Sequence, residues 1–218
     1  MNSKKNKGLG KGLSALFGEQ KSQENQGKSG HNIRKALVGE ISRNGFQPRT
    51  IFDESKLDEL AMSIKKNGII QPIAVRKSKS AKEPYEIVAG ERRWLAAQKA
   101  GLHEVPIVIM DLNDSETLEV AIVENIQRDD LNPIEEAKGY KRLNEEFKYD
   151  HESISKLMSK SRSHISNTLR LLTLPGDVIA MLEEGSLTSG QARPLIGLSN
   201  ASTIAEEIVS KNYSARKV

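Results

Sequence analysis

The sequence predicts an α+β protein: a small α/β domain followed by an all-helical domain that contains a helix-turn-helix. Three observations predict it. Between residues 36 and 110 short apolar, β-branched runs alternate with amphipathic helical stretches, the pattern of a compact α/β unit. After Asp111 the strand signals end and helical periodicity alone continues to about residue 211. Residues 1–35 are rich in Lys, Ser, Gln, Asn and Gly and nearly lack β-branched or aromatic residues, so burial there cannot offset chain entropy. The expected organisation is a disordered basic tail over 1–35, an α/β domain over 36–130 and a helical domain over 131–218.

Each element has its own justification. Residues 36–41 read as a short strand. Residues 55–66 form a helix, stopped by Asn67-Gly68, a good C-terminal signal. Residues 73–77 and 85–88 are strands, 91–100 a helix closed by Gly101, and 105–110 a further strand. A helix over 114–127 follows, then one from Pro133, well suited to a first helical turn, to about Phe147. Helices over 153–158, 162–172, 176–184, 189–198 and 201–211 complete the chain. Within the tail, Leu9, Leu13, Leu16 and Phe17 share one face if the segment becomes helical, although three glycines make that helix unstable alone.

Composition narrows the function classes. The 218 residues include no cysteine, which excludes disulfides, thiolate metal sites and a cysteine nucleophile, and fits a reducing cytoplasm. No apolar run approaches the ~20 residues of a spanning helix, and no apolar core follows the early lysines as a secretory signal requires. The net charge of +4 conceals a division. Residues 1–35 hold eight basic and two acidic residues, leaving −2 for the remainder. DNA binding must therefore be argued from local charge.

Residues 153–172 are the most suggestive helical unit. Ile154, Leu157 and Met158 give a first helix its apolar face, residues 159–161 make a polar turn, and Ile165, Leu169 and Leu172 serve the second helix. Ser161, Arg162, Ser163, His164, Ser166, Asn167 and Arg170 are left as candidate DNA-binding residues. Arg can bond guanine bidentately, Asn can bond adenine, and Ser can bond bases or phosphates. An ordinary helical hairpin also keeps a polar face. Here Ser153 to Gly176 contains Lys156, Lys160, Arg162 and Arg170 and no acid, which tips the reading to DNA. His164 is not expected to hold a metal, since His31, His103 and His151 offer no ligand-like spacing.

Four further pieces concern phosphate. In Tyr85-Glu-Ile-Val-Ala-Gly-Glu-Arg-Arg-Trp a strand runs through Gly90 into a helix, whose first amides lie at a positive end beside the forked donors Arg92 and Arg93. Glu124-Asn125-Ile126-Gln127-Arg128 ends a helix within a stretch, Asp111 to Glu136, of nine acids and one Arg. Its Glu124 and Asn125 are oxygen donors of the kind Mg²⁺ accepts alongside phosphates. Asn44-Gly-Phe-Gln-Pro-Arg49 presents Gln47 and Arg49, and Asn67-Gly-Ile-Ile-Gln-Pro72 is the fourth piece. Each alone is weak, and the Glu124–Arg128 piece alone reads better as polar residues at a solvated helix end.

In this order, and followed by a helix-turn-helix, the set resembles ParB-type chromosome-partitioning proteins, the centromere-binding component of the bacterial ParABS system. The resemblance spans essentially the whole chain. It implies a CTP-dependent DNA clamp with slow, DNA-stimulated CTP hydrolysis. Ser63 and Gly68, Ile69, Ile70 and Gln71 would lie around the cytidine; Arg49, Gly90, Arg92, Arg93 and Arg128 would hold phosphates; Glu124 and Asn125 would place Mg²⁺. Gln47, Glu91 and Glu124 would support hydrolysis. Lys7, Leu9, Lys11, Leu13, Leu16 and Phe17 resemble the motif that stimulates a ParA-type ATPase, with an SMC-type condensin as a further partner. The implied protein is a homodimer on a palindromic parS-like site, nucleoid-associated in a bacterial cytoplasm, with no stable membrane association.

Departures from the family pattern are also visible. Leu95 stands where members usually have Arg. Gly190-Gln191-Ala192-Arg193 stands where they often have Gly-His-Ala-Arg, which keeps Gln191 and Arg193 as DNA-contact candidates. The family's C-terminal dimerisation domain is not seen before Val218. Two other readings fit the same residues: a nucleoid-occlusion paralogue, and a helix-turn-helix regulator whose α/β domain binds no nucleotide, for which Leu95 is the best support.

Overall fold

The computed structural model describes residues 33–44, 54–78, 80–128, 131–215 and 217. Gln47, Arg49 and the tail residues Lys7, Leu9, Lys11, Leu13, Leu16 and Phe17 lie outside them. Two compact units divide between Ala121 and Ile122.

The first unit carries a five-stranded mixed sheet: β1 (Ile33–Leu37), β2 (Ile41–Ser42), β3 (Ile73–Lys77), β4 (Tyr85–Ala89) and β5 (Glu104–Met110), in the order β1-β5-β3-β4-β2. β3 runs parallel to β5 and antiparallel to β4, β1 is antiparallel to β5, and β2 is parallel to β4. With neighbours on both sides, β3 is buried from Ile73 to Arg76. The strand expected over 36–41 is two strands separated by a 3-10 turn, Val38–Glu40, whose Glu40 carboxylate accepts from Leu37 N at 3.0 Å. One strand could not serve, because β1 and β2 occupy opposite edges of the sheet. Residues 33–35, expected in the tail, belong to β1: pairing with β5 holds them, while their side chains remain exposed.

Helix α1 (Glu54–Asn67) and helix α2 (Glu91–Lys99) complete this unit's core. Trp94 and Ala97 of α2 pack with Ile73, Val75, Ile87, Val105 and Ile107 of the sheet. Trp94 also donates its indole N–H to the Val38 carbonyl at 3.2 Å, satisfying the polar edge of a buried ring. Leu57, Ala61 and Ile64 of α1 close on Ala96. Helix α3 (Asp114–Ile126) begins with a reciprocal cap, Asn113 and Glu116 each accepting from the other's backbone N–H at 2.9 Å. Its start is tied to the sheet by Arg76, which reaches Glu86 at 2.7 Å and Asp114 at 2.5 Å.

The second unit holds the last turn of α3 and helices α4 (Pro133–Phe147), α5 (His151–Met158), α6 (Arg162–Arg170), α7 (Gly176–Glu183), α8 (Ser189–Ala192) and α9 (Ala201–Ser210). Ile126 occupies the space a side chain on Gly139 would need: a Cβ there would lie 2.8 Å from Ile126 Cδ1. Asn132 caps α4 in a reciprocal box with Glu135, with Pro133 in the first turn. Ile134, Leu171, Val178, Leu182, Leu187, Leu195 and Ile208 form the core. The helix expected over 189–198 is one α-turn followed by the 3-10 turn Arg193–Leu195. Pro194 supplies no N–H to continue it. Among the described residues no helix is long and apolar enough to cross a membrane.

Candidate functional site

In the first unit the Gly-Glu-Arg-Arg segment and the 68–72 turn come together. Gly90 begins α2 at φ +95°, a conformation only glycine adopts freely, and a Cβ there would stand 3.2 Å from Arg93 Cζ. Arg93 turns to the other segment. Its Nη1 donates to the carbonyls of Gln71 at 2.8 Å and Pro72 at 2.7 Å. Gly68, at φ +72°, opens that turn; Ile69 is half-buried against the core, whereas Ile70 and Gln71 are exposed.

Arg92 and Arg93 of α2, with Lys56, Glu59 and Leu60 of α1, line an open hollow of about 660 Å³. Ser63 lies seven residues beyond Lys56 and so on the same helix face. Lys56 brings a third cation to this wall and was missed in the sequence, where that spacing was the available signal. Three cations, a helix N-terminus and one carboxylate make a surface suited to a polyphosphate whose charge is shared with a metal ion.

Glu91 faces inward at 8% exposure. Its Oε1 pairs with Arg43 Nε at 2.5 Å, while Oε2 is buried without a hydrogen-bond partner. A carboxylate oxygen so placed is costly unless a donor reaches it. Glu124, Asn125 and Arg128 belong to the second unit. There Asn125 Oδ1 accepts from Arg128 Nη1 at 3.3 Å, and Glu124 is half-buried. Two adjacent oxygen donors match the one or two protein ligands Mg²⁺ takes when phosphate and water supply the rest. Leu95 is half-buried among the apolar residues of both α/β clusters, so packing uses this side chain.

In the second unit α5 and α6 form the expected helix-turn-helix. Asp150 caps α5, accepting from Ser153 N at 2.8 Å, and Ser159 makes the turn at φ +52°. Ser161 caps α6, accepting from His164 N at 3.1 Å. Ile165 and Thr168 are buried; Arg162, Ser163 and Arg170 are exposed, with Ser166 and Asn167 half-buried between them. Ser163, Ser166, Asn167 and Arg170 thus make one stripe at helical spacing.

His164, half-buried like Ser166 and Asn167, is tied by its ring to α4 rather than left free on the polar face. Its Nε2 lies 2.9 Å from Glu136 Oε1, the same oxygen that accepts from Tyr140 OH at 2.6 Å. Burial, reinforced by that bond to Glu136, pushes the Tyr140 hydroxyl pKa up. Gln191 is also turned inward. Its Oε1 accepts from Thr188 N at 2.8 Å and its Nε2 donates to the Tyr213 carbonyl at 2.6 Å, whereas Arg193 is exposed. Thr188 and Gln191 form a capping box whose spacing was visible in the sequence.

Residues 21–126 match the model of the ParB N-terminal domain, and residues 129–218 that of the ParB HTH domain. The chain is 45% identical over 213 residues to the chromosome-partitioning protein ParB of Caulobacter vibrioides, covering 97% of this chain and 70% of that one. It is 44% identical over 205 residues to a nucleoid occlusion protein of a Geobacillus species, covering 92% and 72%. A crystal structure of C-terminally truncated Caulobacter crescentus ParB complexed to the centromeric parS site matches with a TM-score of 0.76 at 45% identity. That match covers 84% of this chain and 95% of the other.

Proposed function

The chain belongs to the ParB family of chromosome-partitioning proteins, and from that premise we propose that it is a parS-binding, CTP-dependent DNA clamp. The carrying observation is the polar stripe of α6, exposed at Ser163 and Arg170 and half-buried at Ser166 and Asn167, flanked by cations in a segment without acids. Arg162 and Asn167 are the candidate base readers, with Ser163, Ser166, Arg170 and Arg193 at bases or phosphates. A relative solved on parS supports this assignment. Two protomers on a palindrome would match protein symmetry to site symmetry.

The hollow beside α2 is the proposed seat of the CTP phosphates. Arg92 and Lys56 face the phosphate charge, Arg93 fixes the turn at residues 68–72 beside it, and Gly90 allows backbone approach. Phosphoryl transfer demands positioned cations and an oriented water rather than covalent chemistry. Glu91, with a buried oxygen lacking a donor, is the candidate to orient that water, and the hydrolytic role of Glu124 is carried over by motif. Glu124 and Asn125 of the second unit are the residues that would hold Mg²⁺, again by motif. Arg49, Gln47 and Arg128 are carried over by motif. CTP would favour the closed clamp through higher affinity for that state, and hydrolysis would release it. Stimulation of a ParA-type ATPase by residues 7–17 belongs to the same proposal.

Calorimetry with CTP and Mg²⁺, and hydrolysis assays with and without a parS duplex, test this reading. Binding with turnover accelerated by parS is expected. Absence of CTP binding would favour the nucleotide-free regulator, for which Leu95 in the core supplies a packing reason. The identity to a nucleoid occlusion protein favours a second reading, and CTP-dependent flotation of the intact protein with anionic liposomes would select it.

A further inference from the structure

We propose that Glu136, Tyr140 and His164 form a polar tether that fixes the pose of the recognition helix, making His164 a positioning residue for base readout rather than a base contact. This rests on reading α6 as the recognition helix. Glu136 and Tyr140 are one turn apart on α4, and His164 arrives from α6, 28 residues along the chain. All three meet at one atom. Glu136 Oε1 accepts from Tyr140 OH at 2.6 Å and from His164 Nε2 at 2.9 Å. The Tyr140 and His164 rings stand edge-on, 81° apart with centroids 6.5 Å distant, and Tyr140 is 1% exposed.

Residue 164 is consequently held twice, its backbone by the Ser161 cap at 3.1 Å and its ring by α4. The buried side chains of Ile165 and Thr168 seat α6 on its neighbours, yet the apolar part of such packing is non-directional and tolerates small rotations. Hydrogen bonds to a single carboxylate oxygen are directional and charge-assisted, so they select one rotation and height. Arg162 and Ser163 precede this pin directly, and Ser166 and Asn167 follow within a turn. A bidentate base contact requires both donors in place, so a tilted helix loses discrimination before it loses phosphate contacts.

The test measures binding of the full chain to a parS duplex and to a scrambled duplex of equal length, by fluorescence anisotropy over a range of salt. The wild type should prefer parS; if it does not, the DNA-recognition reading itself fails. His164→Ala and Glu136→Leu should each reduce that preference about tenfold. Scrambled-duplex affinity and the salt slope should stay unchanged, because phosphate contacts set both. Glu136→Gln, which keeps the shared oxygen, should restore the preference, and the double variant His164→Ala with Glu136→Leu should be no worse than either single. A loss confined to His164→Ala, or a salt slope reduced by about one, would identify a direct DNA contact and overturn the tether. Should Glu136→Leu fail to fold, Glu136→Ala takes its place, and full parS preference in that variant would overturn the tether equally.

Discussion

Arg93 pins the turn that ends at Pro72, donating from Nη1 to the Pro72 carbonyl at 2.7 Å. The same guanidinium stacks over Gly90 so closely that any side chain there would meet it. One arginine therefore joins two segments about twenty residues apart in the chain. The glycine that starts α2 and the turn bound by Arg93 are held as one piece, which keeps this wall of the proposed phosphate seat ready before any ligand arrives.

That coupling makes Gly90→Ala a severe change. At φ +95° an alanine costs about 1–2 kcal/mol on backbone grounds, and its Cβ would press on the Arg93 guanidinium, 3.2 Å away. We expect the melting temperature to fall by about 4–8 °C per kcal/mol lost, and CTP affinity to fall about tenfold. Arg93→Lys should weaken CTP binding with a smaller thermal cost, since an ammonium keeps the charge but not the fork. Calorimetry and thermal melts decide; wild-type CTP affinity in both variants would refute the seat.

Trp94 offers an internal reporter, being the sole tryptophan. Trp94→Phe keeps most apolar contacts but removes one of two donors to the Val38 carbonyl, which still accepts from Ile41 N, and should cost about 0.5–1.5 kcal/mol. Chemical denaturation followed by circular dichroism measures it. Because Trp94 follows Arg92 and Arg93 directly, CTP should also shift the wild-type emission. Unaltered stability would show that the 3.2 Å bond contributes nothing.

Periodicity made most elements legible, since helices such as α4 and α6 bury one stripe each. Gly90 was legible for a local reason, a strand meeting a helix. What escaped depended on distant partners. The break at Val38–Glu40 exists because β1 and β2 lie on opposite sheet edges, which no five-residue window contains. His164 falls on the polar face left by Ile165, Leu169 and Leu172, and only Glu136, 28 residues away, ties its ring to α4. Lys56 lines the hollow because α1 lies against α2. Gln191 is the exception: Thr188 three residues earlier announced a capping box, and the DNA expectation obscured it.

Acid should loosen the helical unit. Hydrogen bonds from Ser153 hold the Asp150 carboxyl below its ordinary pKa, and a bond from Ser202 does the same for Asp177. Bonds from Arg142, Lys156 and Lys211 lower Glu146, Glu152 and Glu207. A depressed folded-state pKa gives stability that is present above the unfolded value, about 4, and is lost as pH falls through the folded one. The melting temperature should thus be flat from pH 7 to 5 and decline below about 4. Asp150→Asn, still a good cap but unable to titrate, should show a shallower decline. An equal acid decline in that variant would remove Asp150 from the account.

Arg162 and Arg170 are both exposed on α6, yet they sit at its two ends, and the ends of a recognition helix do different work. Residues at the N-terminal end enter the groove and reach base edges, whereas those a further two turns along lie nearer the backbone. Arg162→Ala should therefore cost about 1–3 kcal/mol at parS and much less on scrambled DNA. Arg170→Ala should weaken both duplexes alike and reduce the salt slope by about one. Anisotropy titrations at several salt concentrations separate the two patterns. If Arg162→Ala instead weakens both duplexes uniformly, Arg162 is a phosphate contact, and sequence reading by this helix must rest on Ser163, Ser166 and Asn167.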